Sequence, residues 1–101
     1  MTRDRLAERI AARLPDFTGL DARVVFDLGE EGRISVDATL APPRLDDTIE
    51  EPDCTIRVAP ADLDKLIDGA LNPMLAFTLG KLKIEGSMRI AMKIAGRLDA
   101  E

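Results

Sequence analysis

Apolar residues recur along this chain with two different periods, and the changes of period mark out its elements. From Thr2 to Leu14 the period is helical: Leu6, Ile10 and Leu14 fall on one side, with Arg3, Arg5, Glu8, Arg9 and Arg13 around them. Thr2 can cap this helix and Pro15 ends it. From Arg23 the period drops to two. Val24, Phe26 and Leu28 alternate on one strand and Ile34, Val36, Ala38 and Leu40 on the next, about a turn from Gly29 to Gly32. Asp27, Ser35, Asp37 and Thr39 take the opposite faces, so the pattern predicts a sheet with one dry side and one wet side.

"DCTIRV" repeats the alternation with Cys54, Ile56 and Val58 inward, and "KLKIE" repeats it with Leu82 and Ile84 inward and Lys81, Lys83 and Glu85 outward. Between them "PADLDKLIDG" predicts a helix opened by Pro60 and stopped by Gly69, with Leu63, Leu66 and Ile67 as its apolar side. "NPMLAFTLG" predicts a second, shorter helix, capped by Asn72 and ended at Gly80. The last helix runs from Ser87 to Leu98. Its only charges, Arg89, Lys93 and Arg97, stand four residues apart on one stripe, while Met88, Ile90, Ala91, Met92, Ile94, Ala95 and Leu98 fill most of the remaining circumference. That is more apolar surface than one buried face holds. A thick core, a partner chain or an apolar ligand could cover it.

Composition narrows the choice. A chain of 101 residues makes a single domain, too small for two layers of helix around a sheet. Hydrophobic residues make up 46% but aromatics only 3%, so aliphatic and Met side chains must fill the interior. Three of the four Met residues, at 74, 88 and 92, lie in the final third, and Met adapts to irregular apolar shapes. The net charge of -5, with no clustered bases and few aromatics, argues against nucleic acid as a partner. No apolar run approaches the roughly 20 residues needed to span a bilayer. One cysteine excludes an internal disulfide, and the charged N-terminus is unlike a secretion signal, so a cytoplasmic location is expected.

Catalytic chemistry finds little to work with. The chain has no His, Cys54 points inward without a basic partner, and no Gly-rich loop follows a strand, so no enzyme is expected. The acids Asp46, Asp47, Glu50, Glu51 and Asp53 lack the spacing of a calcium loop and read as a solvated loop; neither metal nor cofactor is expected.

"NPMLAFTLGKLKIEGSMRIAMKI" resembles the C-terminal signature of the sterol carrier protein 2 family in Asn72, Pro73, Ala76, Phe77, Gly80, Lys81, Leu82, Lys83, Ile84, Gly86, Met88, Ala91, Met92 and Lys93. "DCTIRV" and "ADLDKLIDG" are similar as well, so the resemblance covers about residues 53–94. It implies an α+β fold over residues 1–101, with helices packed on one face of a largely antiparallel five-stranded sheet around an apolar tunnel. The third strand is expected as a short edge strand within "APPRLDDTIEE". The implied ligand is a fatty acid, acyl-CoA, or a sterol-like or isoprenoid lipid, and the implied tunnel wall is Leu66, Met74, Phe77, Leu82, Ile84, Met88, Ala91, Met92 and Ala95. Thr78 stands where relatives often carry a second aromatic, which should make the wall narrower or more polar there. "LDAE" replaces the peroxisomal tail of eukaryotic relatives, and nothing follows the last helix to close the tunnel, which suggests a free-standing bacterial protein.

Two functions remain open: a lipid carrier, or a non-enzymatic accessory subunit whose apolar surface docks onto enzymes of lipid or quinone biosynthesis. From Gly69 to Leu98 five bases face one acid, Glu85, although the chain as a whole is acidic. The stripe Arg89, Lys93, Arg97 is the coherent part of that excess and reads either as a solvated helix face or as a transient contact with anionic membrane. The oligomeric state is left open.

Overall fold

A computed structural model describes residues 2–98. The tail residues 99–101, and the side chain of Leu98, lie outside the described residues, and with them the expectations placed on "LDAE" and on Leu98.

The first helix, α1 (Arg3–Ala12), begins where the pattern predicts: the Thr2 hydroxyl accepts the N–H of Arg5, and Leu6 and Ile10 are fully buried. Pro15 then tightens the chain into a 3-10 turn over Leu14–Phe17. Strands β1 (Arg23–Asp27) and β2 (Arg33–Asp37) form the hairpin, closed by the Asp27 carboxylate accepting the Gly29 N–H at 2.9 Å. The second strand is shorter than expected. Asp37 accepts both the N–H and the hydroxyl of Thr39, turning the chain out of the sheet, so Leu40 is exposed rather than inward.

The remaining strands are β3 (Arg44–Leu45), β4 (Cys54–Val58) and β5 (Leu82–Gly86), with helices α2 (Pro60–Asp68), α3 (Pro73–Thr78) and α4 (Met88–Leu98). Their order across the sheet is β3-β2-β1-β4-β5. Three pairings are antiparallel, and β1 with β4 is parallel, so the sheet is mixed. The parallel pair arises because the chain leaves β2 for the edge strand β3 and must then cross to the far side of β1. Residues 46–53 make that crossing beside Arg23 and Asp37, held by N–H bonds from Asp46 to Ser35 O (2.9 Å) and from Asp53 to Arg23 O (2.8 Å).

The crossing corrects the expectation of a wet outer face. Val25 is 0% exposed and Ser35, Asp37 and Thr55 are buried there; the face is wet at its margins, at Arg23 and Arg33 and at Arg57, Lys83 and Glu85. The inner face is dry as expected. Val24, Phe26, Ile34, Val36, Cys54 and Ile56 pack in one core with Leu6, Ile10, Leu63, Leu66, Ile90 and Ile94 from α1, α2 and α4. Phe17 and Phe26 meet edge to face with ring centres 6.3 Å apart, a geometry worth about 1 kcal/mol beyond the area buried.

Polar ties fix the helices over that face. Arg9 donates to Asp64 and Asp68, joining α1 to α2, and the bond from Arg9 holds the Asp68 carboxyl below its ordinary range. Arg13 adds a bond to Ile67 O at 2.9 Å. At the other end Arg97 donates to Asp16 O (2.9 Å) and to Thr18 O, tying α4 to the 3-10 turn.

Gly86 decides where β5 becomes α4. Its φ is +88°, and a Cβ built there would lie 2.6 Å from Asp53 O, the same carbonyl that accepts the N–H of Ser87 at 2.8 Å. Gly96, inside α4, has open space around it. Gly86→Ala is therefore expected to destabilise by about 2 kcal/mol or more, from a disfavoured φ plus a backbone collision. Gly96→Ala should stabilise by up to about 1 kcal/mol through helix propensity. Urea denaturation midpoints of the two variants check this; equal shifts in one direction would contradict it.

Candidate functional site

The edge strand β5 presents Leu82 and Ile84 to the helical side, and its register continues an apolar row across the sheet, Phe26 opposite Ile56 and Ile56 opposite Ile84. Two helices flank this end. In α3, the Asn72 side chain accepts the N–H groups of Met74 and Leu75, and Pro73 starts the helix without needing a partner. In α4, the Ser87 hydroxyl accepts the N–H of Ile90. Both helices are thus started by local side-chain caps, and both lean on β5.

Between them lies an apolar cleft. All nine residues expected along a tunnel come together on its wall: Leu66 from α2, Met74 and Phe77 from α3, Leu82 and Ile84 from β5, and Met88, Ala91, Met92 and Ala95 from α4. Phe26, Ile56, Leu63, Pro73 and Ile94 complete it. Sequence reasoning passed over these five. Phe26 and Ile56 alternate inward in the sequence, but only the strand order shows that they share a row with Ile84. Leu63 sits one turn before Leu66, a signal that was available.

The geometry differs from a tunnel in two respects. The enclosed volume is about 40 Å³, room for about three waters and well below the roughly 300 Å³ at which ligand pockets begin. The wall is also incomplete, since Met74 is 47% exposed and Met88 46%, with Phe77 and Met92 similar. Thr78 is not part of the wall: its hydroxyl donates to Met74 O at 3.0 Å within α3, so the expected polar narrowing does not occur at that position.

Charge stays outside. No lining residue is polar, so the cleft can hold hydrocarbon but offers no side-chain hydrogen-bonding group to a polar head. Arg89 and Lys93 are exposed on α4, each next in sequence to a lining Met. Arg97 departs from the expected stripe, since its guanidinium is committed to the two carbonyls of the 3-10 turn. Of the acidic run, Asp46 accepts from Thr48, Asp47 pairs with Arg3 at 2.8 Å, and Asp53 accepts the Arg23 N–H at 2.9 Å, so these carboxylates brace the crossing. No helix among the described residues is long and apolar enough to cross a membrane.

Comparison with known proteins bears on this geometry. Residues 3–99 match the SCP-2 sterol transfer family. Sterol carrier protein 2 of Rattus norvegicus is 50% identical over 50 residues, which is 50% of this chain and 9% of the rat protein. The chain therefore spans only a small part of the length of that relative. Among solved structures, sterol carrier protein 2 like 2 of Aedes aegypti superposes with a TM-score of 0.74 at 23% identity, covering 91% of this chain and 92% of that one. The palmitated form of the Aedes protein gives 0.72 at 21% identity over 97% and 95%. A ubiquinone synthesis protein, UbiJ-SCP2, gives 0.70 at 13% identity over 97% and 96%. At these identities the likeness is one of fold.

Cys54 is fully buried on β4, and burial, with the nearby Asp53 charge, pushes its thiol up to about 11. About two units above its ordinary value leaves about a hundredfold less thiolate at pH 8. A thiol-disulfide reagent at pH 8 should accordingly label the folded protein at least that much more slowly than the urea-unfolded chain. Fast labelling in buffer would place Cys54 outside the core.

Proposed function

Because the chain belongs to the SCP-2 sterol transfer family, we propose that it is a non-catalytic lipid carrier that takes one hydrocarbon chain into the cleft between β5, α3 and α4. The observation that carries this reading is the wholly apolar wall, lined by three Met whose side chains can shift to make room. A narrow cleft favours a flexible acyl chain over a rigid ring system, because the chain can enter by successive side-chain movements. A fatty acid is therefore the first choice, with acyl-CoA, sterol-like and isoprenoid lipids behind it. The palmitated state of the Aedes neighbour is consistent with that order.

Loading requires the cleft to widen, and α3 is the side that yields. It is six residues long and buries only Pro73 and Ala76. Each methylene transferred from water is worth about 0.8 kcal/mol, so a sixteen-carbon chain gains about 12 kcal/mol. Leaving a bilayer costs about the same. Exchange with membrane is then nearly balanced, as a carrier needs, and no reacting group is required. Arg89 and Lys93 beside the wall would hold the anionic head of a fatty acid or meet anionic headgroups during exchange.

A second reading has its own support. Met74, Leu75, Phe77, Leu79, Met88 and Met92 are all exposed, and UbiJ-SCP2 is described as a ubiquinone synthesis protein, so the same surface could dock an enzyme of lipid or quinone biosynthesis.

Native mass spectrometry with organic extraction is expected to find a bound lipid, and the protein should take up a fluorescent fatty acid. Met92→Trp should weaken that uptake tenfold or more by filling the cleft, while overpacking costs about 1 to 3 kcal/mol of stability. Failure of the wild type to carry lipid or take up the probe would leave the docking reading in its place.

Charge reversal tests the rim separately. Each base near a membrane is worth about 1 kcal/mol, so Arg89→Glu combined with Lys93→Glu should slow lipid exchange with anionic vesicles by about thirtyfold or more at low salt. Fluorescent fatty-acid exchange between protein and vesicles measures this. The difference should shrink at about 1 M salt, where the Debye length falls to about 3 Å. Coincident rates at low salt would make the two bases an ordinary solvated face.

A further inference from the structure

Among the described residues seven large apolar side chains are exposed, and six of them belong to α3, the residue that ends it, or α4. Four of the six line the cleft. Leu75 and Leu79 do not: they are 51% and 59% exposed, absent from the cleft wall, and one helical turn apart on the outer side of α3. The cleft gives no reason for either side chain to be apolar. Thr78, between them, ties its hydroxyl back to Met74 O, which satisfies that polar group without water.

The surroundings identify what would cover them. Lys81 follows two residues after Leu79, its N–H bonded to Ala76 O, and Arg89 and Lys93 stand exposed on the neighbouring α4. Of the five bases in residues 69–98, Arg97 is bound to two carbonyls of the 3-10 turn and Lys81 and Lys83 also line a groove with Asp27 and Arg57, so Arg89 and Lys93 are the exposed bases on the helix next to this apolar surface, in a chain whose net charge is -5. An apolar tip bordered by cations complements an anionic bilayer, with side chains entering the acyl region and bases meeting headgroups. A negatively charged chain as a whole would be repelled, which makes the local excess the orienting element. The amphipathic helix α1 offers no alternative, since Leu6 and Ile10 are fully buried in the core.

We infer that Leu75 and Leu79 on the outer side of α3 insert into an anionic lipid bilayer and so set the mouth of the cleft against the acyl chains. This rests on the carrier reading for its purpose, since docking in this pose gives a chain leaving the bilayer a path that avoids water.

The chain has no Trp, so a single introduced indole reports without background. Leu79→Trp is expected to shift its emission to the blue and to be quenched by brominated acyl chains on vesicles of phosphatidylcholine with phosphatidylserine at low salt. Leu40→Trp, at the exposed apolar position beyond β2, should show neither change. Leu75→Glu with Leu79→Glu should lower wild-type partitioning onto the same vesicles about tenfold or more, while circular dichroism and uptake of a soluble fluorescent fatty acid stay as in wild type. Three results overturn the inference: an unshifted indole from Leu79→Trp on anionic vesicles, unchanged partitioning of the double Glu variant, or a wild-type dimer in sedimentation that the double Glu variant abolishes and that excludes vesicles. Uptake of the soluble probe is scored apart from vesicle binding, so a protein that carries lipid but ignores vesicles refutes this inference alone.

Discussion

Cover for hydrocarbon is in short supply at one end of this sheet, and most of what is distinctive about the molecule follows from that shortage. The row Phe26, Ile56, Ile84 runs to an edge strand, and apolar area left in water is unfavourable at about 25 cal/mol per Å². Over β1 and β2 the demand is met by α1 and α2, bound to each other through Arg9 and its two carboxylates. Over β5 there remain α4 and the six residues of α3. Neither closes the gap completely, and three of the residues along it are Met, a residue type absent from the tightly packed core among the described residues.

Much of this was readable from the chain. Periods of 3.6 and 2 located the helices and strands, and the caps Thr2 and Asn72 and the stop at Gly69 lie where their chemistry predicts. The surplus of apolar positions in the last third, with the resemblance carried by Asn72 to Lys93, pointed to the nine residues that the fold gathers around the cleft. What stayed hidden depended on strand order and on long-range polar bonds. Alternation showed that Val25 and Thr55 face away from the helices, but nothing local showed that residues 46–53 cross that side and that Val25 is buried there. Leu40 fits the period of β2, yet Asp37 and Thr39 end the strand before it. Arg97 shares a stripe with Arg89 and Lys93, and only the fold reveals two carbonyls within its reach.

The placement of charge follows a similar division. Acidic side chains do structural work at the β1, β2 and β3 end, accepting from Gly29, Thr39, Thr48 and Arg23. Basic side chains are in excess toward the opposite end, where Arg57 bonds Glu85 across β4 and β5 at 2.9 Å and Arg97 bonds two carbonyls of the 3-10 turn. Cys54, between the two, is insulated by burial. A carrier of apolar cargo fits such an arrangement, because its chemistry is transfer between phases and its electrostatics need only decide which end faces a surface.

The attachments of α4 have a consequence for how such a molecule can diversify. Its first residues are fixed by the close passage of Gly86 and Ser87 over Asp53 O, and its last turn by Arg97 on Asp16 and Thr18. One wall of the cleft is therefore stiff, while the opposite wall, anchored by Pro73 and Ala76, is compliant. Substitutions at the half-exposed lining positions Met74 and Phe77 can reshape that second wall without touching Pro73, Ala76 or the strand register. A family built this way can retune its cargo through one short, cheaply altered segment while the scaffold that folds it stays constant.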